Sequence, residues 1–329
     1  MVACTPVGEP IASRVEEREP VTVLMPCYNS QAFLDRAVAS VLEQSYRELI
    51  LLAVDDSSTD DTLDLLHGWA RTDSRMRVLA LPRNGGPVSA MMAGYAAIDT
   101  RWVLQMDADD EMLPGCVETQ MRHVRQNPEA AVVSGRAIYI NSRGEELGKS
   151  AVTTLVHEGG ITRARDDDVI GLLHPGSVLR RSAVLEVGGY RPMFEVAHDV
   201  DLWTRLAETG HLLLTHYDLL VRYRIHSGSI TGTDEWRSAL ALEWVRSCAR
   251  ARRAGIEEPD LQRFLAEWNG RSFLARLEAR CGGWRWVAYR RAGLLWGDGH
   301  RLRAMGWLAF AFLLGPGYVL RRLWAQQVR

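Results

Sequence analysis

The feature that most constrains this chain is a regular alternation of short apolar runs and helical repeats over residues 21–106, with acidic or polar clusters at the ends of the apolar runs. Residues 21–25 (VTVLM) form a β-branched run that stops at Pro26, and residues 48–54 (ELILLAV) form a second run that stops at Asp55 and Asp56. Between them Phe33, Leu34, Ala37, Val38, Val41 and Leu42 recur at helical spacing. Strand, helix and buried strand in that order make a right-handed crossover unit. The pattern continues with a helix over 59–70, a strand over 77–81, a helix over 88–98 and a strand over 102–106. Parallel neighbours need crossover helices, which then cover both faces of the sheet, so the expectation is an α/β fold with a mostly parallel, doubly wound sheet.

Ligands of such sheets bind beyond the carboxyl ends of the strands. Three polar clusters fall there: PCYN after the first strand, DDSSTD after the second and DADD after the fourth. Further along, residues 131–140 and 212–223 read as strands, 141–148 (NSRGEELG) as a polar turn, and 185–210 as a VGGY turn followed by a helix carrying Val200, Leu202, Trp203 and Leu206. From Asp234 helices follow one another without strands: Trp236, Leu240 and Trp244 recur every fourth residue, and Leu261, Phe264, Leu265 and Trp268 mark another amphipathic helix. The expected division is a lead-in over 1–19, a catalytic domain over 20–232 and a basic, Trp-rich helical extension over 233–329.

Charge separates the extension from the rest. From Arg246 to Arg329 there are 16 arginines, no lysine and six acidic residues, although the whole chain carries only -2. Nucleic-acid binding would spread basic residues over a groove, so no nucleic-acid partner is expected. The first 20 residues lack the basic and apolar regions of a secretory signal and read as a cytosolic lead-in. Five cysteines at positions 4, 27, 116, 248 and 281 contain no CxxC pair, which fits reduced thiols rather than disulfides or zinc.

Asp107, Asp109 and Asp110 at a strand end place alternate carboxylates within reach of one divalent ion and the phosphates it carries, although Asp is equally at home in caps and turns. Asp55 and Asp56 are adjacent at the end of a buried strand, where two carboxylates repel and a donor group on a ligand is a natural partner. Tyr28, in Pro26-Cys27-Tyr28-Asn29, offers a face for stacking on a nucleobase, or packing alone.

In order, the motifs VTVLMPCYNS, LLAVDDSSTDDT, RNGGPVSA, LQMDADD, GSVLRRSAVLEVGGY, AHDVDLWTRLAETG and YRIHSGSIT resemble family 2 glycosyltransferases of the GT-A fold over residues 20–232. The resemblance implies an inverting, metal-dependent transfer of a sugar from a nucleoside diphosphate to an acceptor hydroxyl, in cell-surface polysaccharide or glycolipid assembly. It implies nucleotide contacts from Pro26, Tyr28, Asn29, Asp56 and Asp107, with Asp56 accepting from a ring N–H and so favouring UDP or dTDP donors. Asp109 and His226 are the implied ligands of Mg²⁺ or Mn²⁺, and Asp199 is the implied catalytic base, with Asp201 as its rival. His174, His198 and Arg224 are candidates for acceptor or donor contacts. Two positions depart from the family: Met91-Met92 replace a frequent Arg-Asn pair, and His198 replaces a usual Glu.

The tail admits two readings. Residues 304–320 carry no charge, yet Gly315-Pro316-Gly317 would break a spanning helix. Eight of the 11 tryptophans lie from Trp236 onward among arginines, which suits helices lying on an anionic membrane surface and a lipid-linked or other carbohydrate acceptor. The alternative is a helical cap on the catalytic domain. The expected location is cytoplasmic, peripheral on the inner face of the plasma membrane. A competing function is a nucleotide-sugar-binding scaffold without turnover. A dinucleotide-dependent oxidoreductase would need a glycine-rich loop where PCYNSQ stands.

Overall fold

The computed structural model describes residues 19–150, 161–162, 169–226, 235–272, 281, 284–285, 288–289, 291–293, 295 and 300–320. The lead-in 1–18, part of the polar stretch before Val169, the end of the YRIHSGSIT motif, and Arg321 and Arg322 lie outside the described residues.

The strands are β1 (Val21–Cys27), β2 (Leu49–Asp55), β3 (Met76–Ala80), β4 (Trp102–Gln105), β5 (Glu111–Met112), β6 (Ala130–Ile140), β7 (Glu146–Lys149), β8 (Ile161–Thr162), β9 (Val178–Arg180) and β10 (Leu212–Arg224). The helices are α1 (Leu34–Leu42), α2 (Thr62–Thr72), α3 (Pro87–Ala97), α4 (Cys116–Gln126), α5 (Arg181–Glu186), α6 (His198–Glu208), α7 (Glu235–Arg253), α8 (Leu261–Gly270) and α9 (Arg301–Leu314). They build one sheet in the order β3-β2-β1-β4-β9-β6-β10-β5, with β7 on β6 and β8 on β10. The long pairings are parallel: β1 with β2 and β4, β2 with β3, and β6 with β10. The expected mostly parallel α/β sheet is present.

The residues decide the layers. In β1 successive side chains alternate faces, so Val23 and Met25 join α1, α2 and α4 through Leu34, Val38, Leu66 and Met121, whereas Leu24 joins α3, α5 and α6 through Met91, Tyr95, Val184 and Trp203. Helix α3 comes close to the sheet because residue 94 is glycine: a Cβ there would lie 2.3 Å from Leu24 Cδ1. Two sequence expectations shift. Three-residue β9 runs antiparallel to both β4 and β6 and stitches the halves of the sheet together, an element too short to show a period. The polar turn at 141–148 is tighter than expected, because Asn141 Oδ1 accepts from the backbone N–H groups of Arg143 and Glu145 and β7 already begins at Glu146.

Strand order places the site. From β1 the chain builds β2 and β3 on one side, then crosses to β4 on the other, so the carboxyl end of β1 is a topological switch point. The extension also contributes packing. Trp244, Val245 and Cys248 of α7 and Phe264 and Trp268 of α8 form a small core with Phe194. Arg252 and Arg253 pair with Glu208 of α6. Helix α9 ends at Leu314 before the Gly-Pro-Gly break, as expected. Among the described residues no helix is long and apolar enough to cross a membrane.

Candidate active site

A cavity of about 1040 Å³ opens at the switch point, and most candidate site residues named from the sequence line it: Pro26, Tyr28, Asn29, Asp56, Asp107, Asp109, His174, His198, Asp199, Arg224 and His226. Asp55, Asp110 and Asp201 are not among its lining residues.

The β1 and β2 loops are tied to each other. Asn29 takes a left-handed conformation (φ 48°), and its Oδ1 accepts from Thr59 N at 2.8 Å while its N–H donates to Ser58 Oγ at 3.1 Å. The ring of Tyr28 is left 49% exposed at the rim. The adjacent aspartates point different ways. Asp55 Oδ2 accepts from Ser58 N, closing the turn. Buried Asp56 accepts from the backbone N–H groups of Gly85 and Gly86 at 2.9 and 2.7 Å, anchoring the RNGGP loop that starts α3. Protein N–H donors thus answer part of the charge for which the sequence suggested a ligand donor, and each Asp56 oxygen keeps a further lone pair.

The DADD turn is held from β10. Arg224, 1% exposed, donates from its backbone N–H to Asp110 Oδ1 at 2.6 Å, from Nε to Asp109 O at 2.7 Å and from Nη1 to Asn141 O at 3.0 Å. Its Nη2 pairs with Glu111, and its guanidinium lies 4.7 Å over the Phe33 ring. This side chain therefore fixes the turn, with its donors already engaged. His226, two residues on, reaches Asp109 Oδ2 through Nε2 at 3.0 Å and packs against Phe33.

Carboxylate oxygens of Asp107, Asp109 and Asp110 lie within 4.8 Å of one another. Burial, then the charges of Asp109 and Asp199, push the Asp107 carboxyl up to about 7, and burial with Asp109 and Asp107 pushes Asp110 well above the usual range. Asp110 Oδ2 is buried without a hydrogen-bond partner. Crowded hard oxygen donors, raised carboxyls and one orphaned oxygen fit a divalent cation of the Mg²⁺ or Mn²⁺ kind.

Asp199 sits in the first turn of α6, entered through Ala197 in a left-handed conformation (φ 63°). Its charge acts on Asp107, Tyr190 and His174, which places it against the same polar floor. Asp201 is fully buried and held by Arg191 and Arg205, with Arg191 Nε at 3.0 Å and Arg205 Nε at 2.9 Å. His174 Nε2 meets Tyr190 OH at 2.9 Å, its ring stands edge-on to His198, and burial lowers its pKa to about 4, so it is neutral. His198 Nδ1 reaches Glu195 O at 3.2 Å.

Sequence reasoning missed several parts. Tyr190 belongs to VGGY, and its OH is what His174 meets. Met92, where the family often has a polar residue, packs on Gly189 and takes the Tyr190 N–H on its sulfur at 3.3 Å. Tyr289 and Tyr318 reach the cavity from the extension. No local pattern signals that contribution, because it depends on how distant helices fold back.

Residues 22–188, just over half the chain, match the model of "Glycosyl transferase family 2". A Haemophilus influenzae protein named an uncharacterized glycosyltransferase is 22% identical over 214 residues, 63% of this chain and 65% of that one, so the match spans just under two thirds of that relative. The Bacillus subtilis protein TuaG, named for teichuronic acid biosynthesis, is 25% identical over 221 residues, covering 67% of this chain and 84% of TuaG. Staphylococcus aureus TarS 1-349 superposes with a TM-score of 0.56 at 15% identity over 91% of each chain, and its crystal structures include UDP and UDP-GlcNAc complexes. The Pyrobaculum calidifontis mannosyltransferase PcManGT, solved with GDP-Man and Mn²⁺, gives 0.56 at 18% identity over 94% of this chain and 84% of that one.

Proposed function

Because the chain belongs to glycosyl transferase family 2, we propose that it transfers a sugar, with inversion, from a nucleoside-diphosphate sugar to a hydroxyl of a carbohydrate or lipid-linked acceptor in cell-surface polysaccharide assembly. The observation that carries this reading is the pairing of Asp199 with the Asp107–Asp109 turn across one cavity, while Asp201 is sequestered. The relative named for teichuronic acid biosynthesis supports the setting.

The base of the donor lies along Tyr28 and Asp56, where a spare lone pair of the carboxylate accepts the ring N–H of uracil or thymine; the UDP complexes of TarS are consistent with that choice. Asp107 faces the ribose and diphosphate. Asp109 and His226 are the residues that would hold Mg²⁺ or Mn²⁺, with Asp107 and Asp110 alongside, and the bound cation would supply Lewis-acid neutralisation of the leaving diphosphate. Asp199 takes the proton of the acceptor hydroxyl as its oxygen bonds to the anomeric carbon. The bond from that carbon to the β-phosphate oxygen breaks in the same step, and the nucleoside diphosphate leaves with the electron pair. One displacement with one base inverts the centre. His174, neutral and tied to Tyr190, supports the floor beside Asp199, and His198 borders the acceptor side.

The test is a thermal-shift and hydrolysis screen of UDP-, GDP- and dTDP-sugars with Mn²⁺, on wild type, Asp109→Ala and Asp199→Asn. One donor should stabilise the fold in a metal-dependent way, should fail to do so in Asp109→Ala, and should bind Asp199→Asn without turnover. A chain that binds no donor under any metal condition is not this transferase.

A further inference from the structure

Helix α9 leaves much of its apolar surface outside. Ala304 and Ala311 are its buried residues and Trp307 and Leu308 pack half-buried beside them, whereas Leu302 (82% exposed), Met305, Phe312 and Leu313 (81%) face water. At about 100° per residue these four fall with Ala309 on one stripe, on the side opposite Ala304 and Ala311. A water-facing helix puts its large apolar residues inward. Here Trp307 and Leu308 do so, yet a second, contiguous apolar strip stays outside, which marks an interaction surface.

The charge around the strip selects the partner. Arg301 and Arg303 flank its start, and from His300 to Arg329 the sequence carries five arginines and no acidic residue. Beside the helix, the Arg291 guanidinium lies 5.0 Å over Trp307, and Arg285 lies 4.7 Å over Tyr318. A second copy meeting this strip would set arginine against arginine. Lipid phosphates would meet the same arginines favourably while acyl chains accept the leucines. The helix has 14 residues, too few to cross a bilayer, so on a membrane it would lie in the surface plane. We propose that the outward stripe of α9 docks the protein on an anionic lipid bilayer, with Arg301 and Arg303 at the headgroups.

Position gives the docking a purpose. Tyr289 and Tyr318 pack in one small cluster with Ala311 of α9 and also line the cavity that holds Asp109 and Asp199. A docked α9 brings that cavity to the membrane, where a lipid-linked acceptor would be presented. Docking itself does not depend on the transfer chemistry.

Cosedimentation of the full chain with phosphatidylcholine vesicles, with and without phosphatidylglycerol, tests this. Wild type should bind only the anionic vesicles, and added salt should weaken binding. The double variant Leu302→Glu/Leu313→Glu, altered at two exposed positions, should bind about tenfold or more weakly, and Arg301→Gln/Arg303→Gln should lose its preference for anionic lipid. The thermal shift given by UDP with Mn²⁺ should be the same in all three proteins, which separates a failed docking surface from a failed donor site. Wild type that stays in the supernatant, or a double leucine variant that sediments like wild type, overturns the proposal. So does a dimer, seen by light scattering without lipid, that the leucine variant dissolves, since the stripe would then belong to a second copy.

Discussion

Asp199 and Asp201 stand two residues apart at the start of α6 and meet opposite surroundings. Asp199 lines the cavity, whereas Asp201 is closed in by two guanidiniums. Removing one member of a buried pair strands the charge of its partners, a cost of about 3–5 kcal/mol, whereas Asp199 is only half-buried and opens on the cavity. Asp201→Asn should therefore lower the melting temperature clearly in thermal denaturation, and Asp199→Asn should abolish turnover with the melting temperature nearly unchanged. The reverse pattern would assign the base to Asp201. The sequence placed both residues on the helix; only their neighbours separate them, because Arg191 and Arg205 reach Asp201 from a loop and from the next turn of α6.

At the scale of elements, α3 seats against β1 through Gly94. Two effects oppose each other in Gly94→Ala. Alanine improves helix propensity by about 1 kcal/mol. The added methyl, 2.3 Å from buried Leu24 Cδ1, overpacks a filled core at a typical cost of about 1–3 kcal/mol. The clash should win by about 1 kcal/mol in urea unfolding, and because α3 starts at the Gly85–Gly86 loop that Asp56 anchors, donor binding should weaken as well. A stabilised variant would mean that α3 can shift without cost. The elements themselves were legible: the strands over 21–25, 48–54, 102–106 and 131–140 and the helix over 33–42 appear within two residues of their expected bounds. Short β9 was not, since three residues carry no period and its pairing is set by the two strands it bridges.

Across the whole molecule, stability should depend on pH through buried groups of opposite sign. His174 and His216 have pKa values lowered to about 4, chiefly by burial. Each is neutral when folded, so its contribution is intact above the unfolded value near 6.5 and is lost as pH falls toward 4, on the order of 3 kcal/mol apiece. Asp107, raised to about 7, runs the other way: it favours the fold at low pH and loses that contribution as pH rises through 7. The informative quantity is a difference. Between pH 6.5 and 4, His174→Gln should lose less stability than wild type in urea unfolding at stepped pH, and an identical slope would mean that His174 does not titrate upon unfolding.

The sequence by itself determined the alternating α/β order, the three polar clusters at strand ends and the membership of a transferase family, because strand and helix periods and short motifs are local properties of the chain. Only the tertiary structure decided which carboxylates share a cavity, that Arg224 braces the aspartate turn from β10, and that two tyrosines of the extension reach the same space. The tail shows the division most plainly. Its tryptophans and arginines suited a membrane surface somewhat better than a helical cap. Packing sorts the side chains: Trp244 and Trp268 are buried against Phe194, while Leu302 and Leu313 of α9 remain outside. Composition counts such residues, but the direction in which each one points is fixed by the elements packed against its helix.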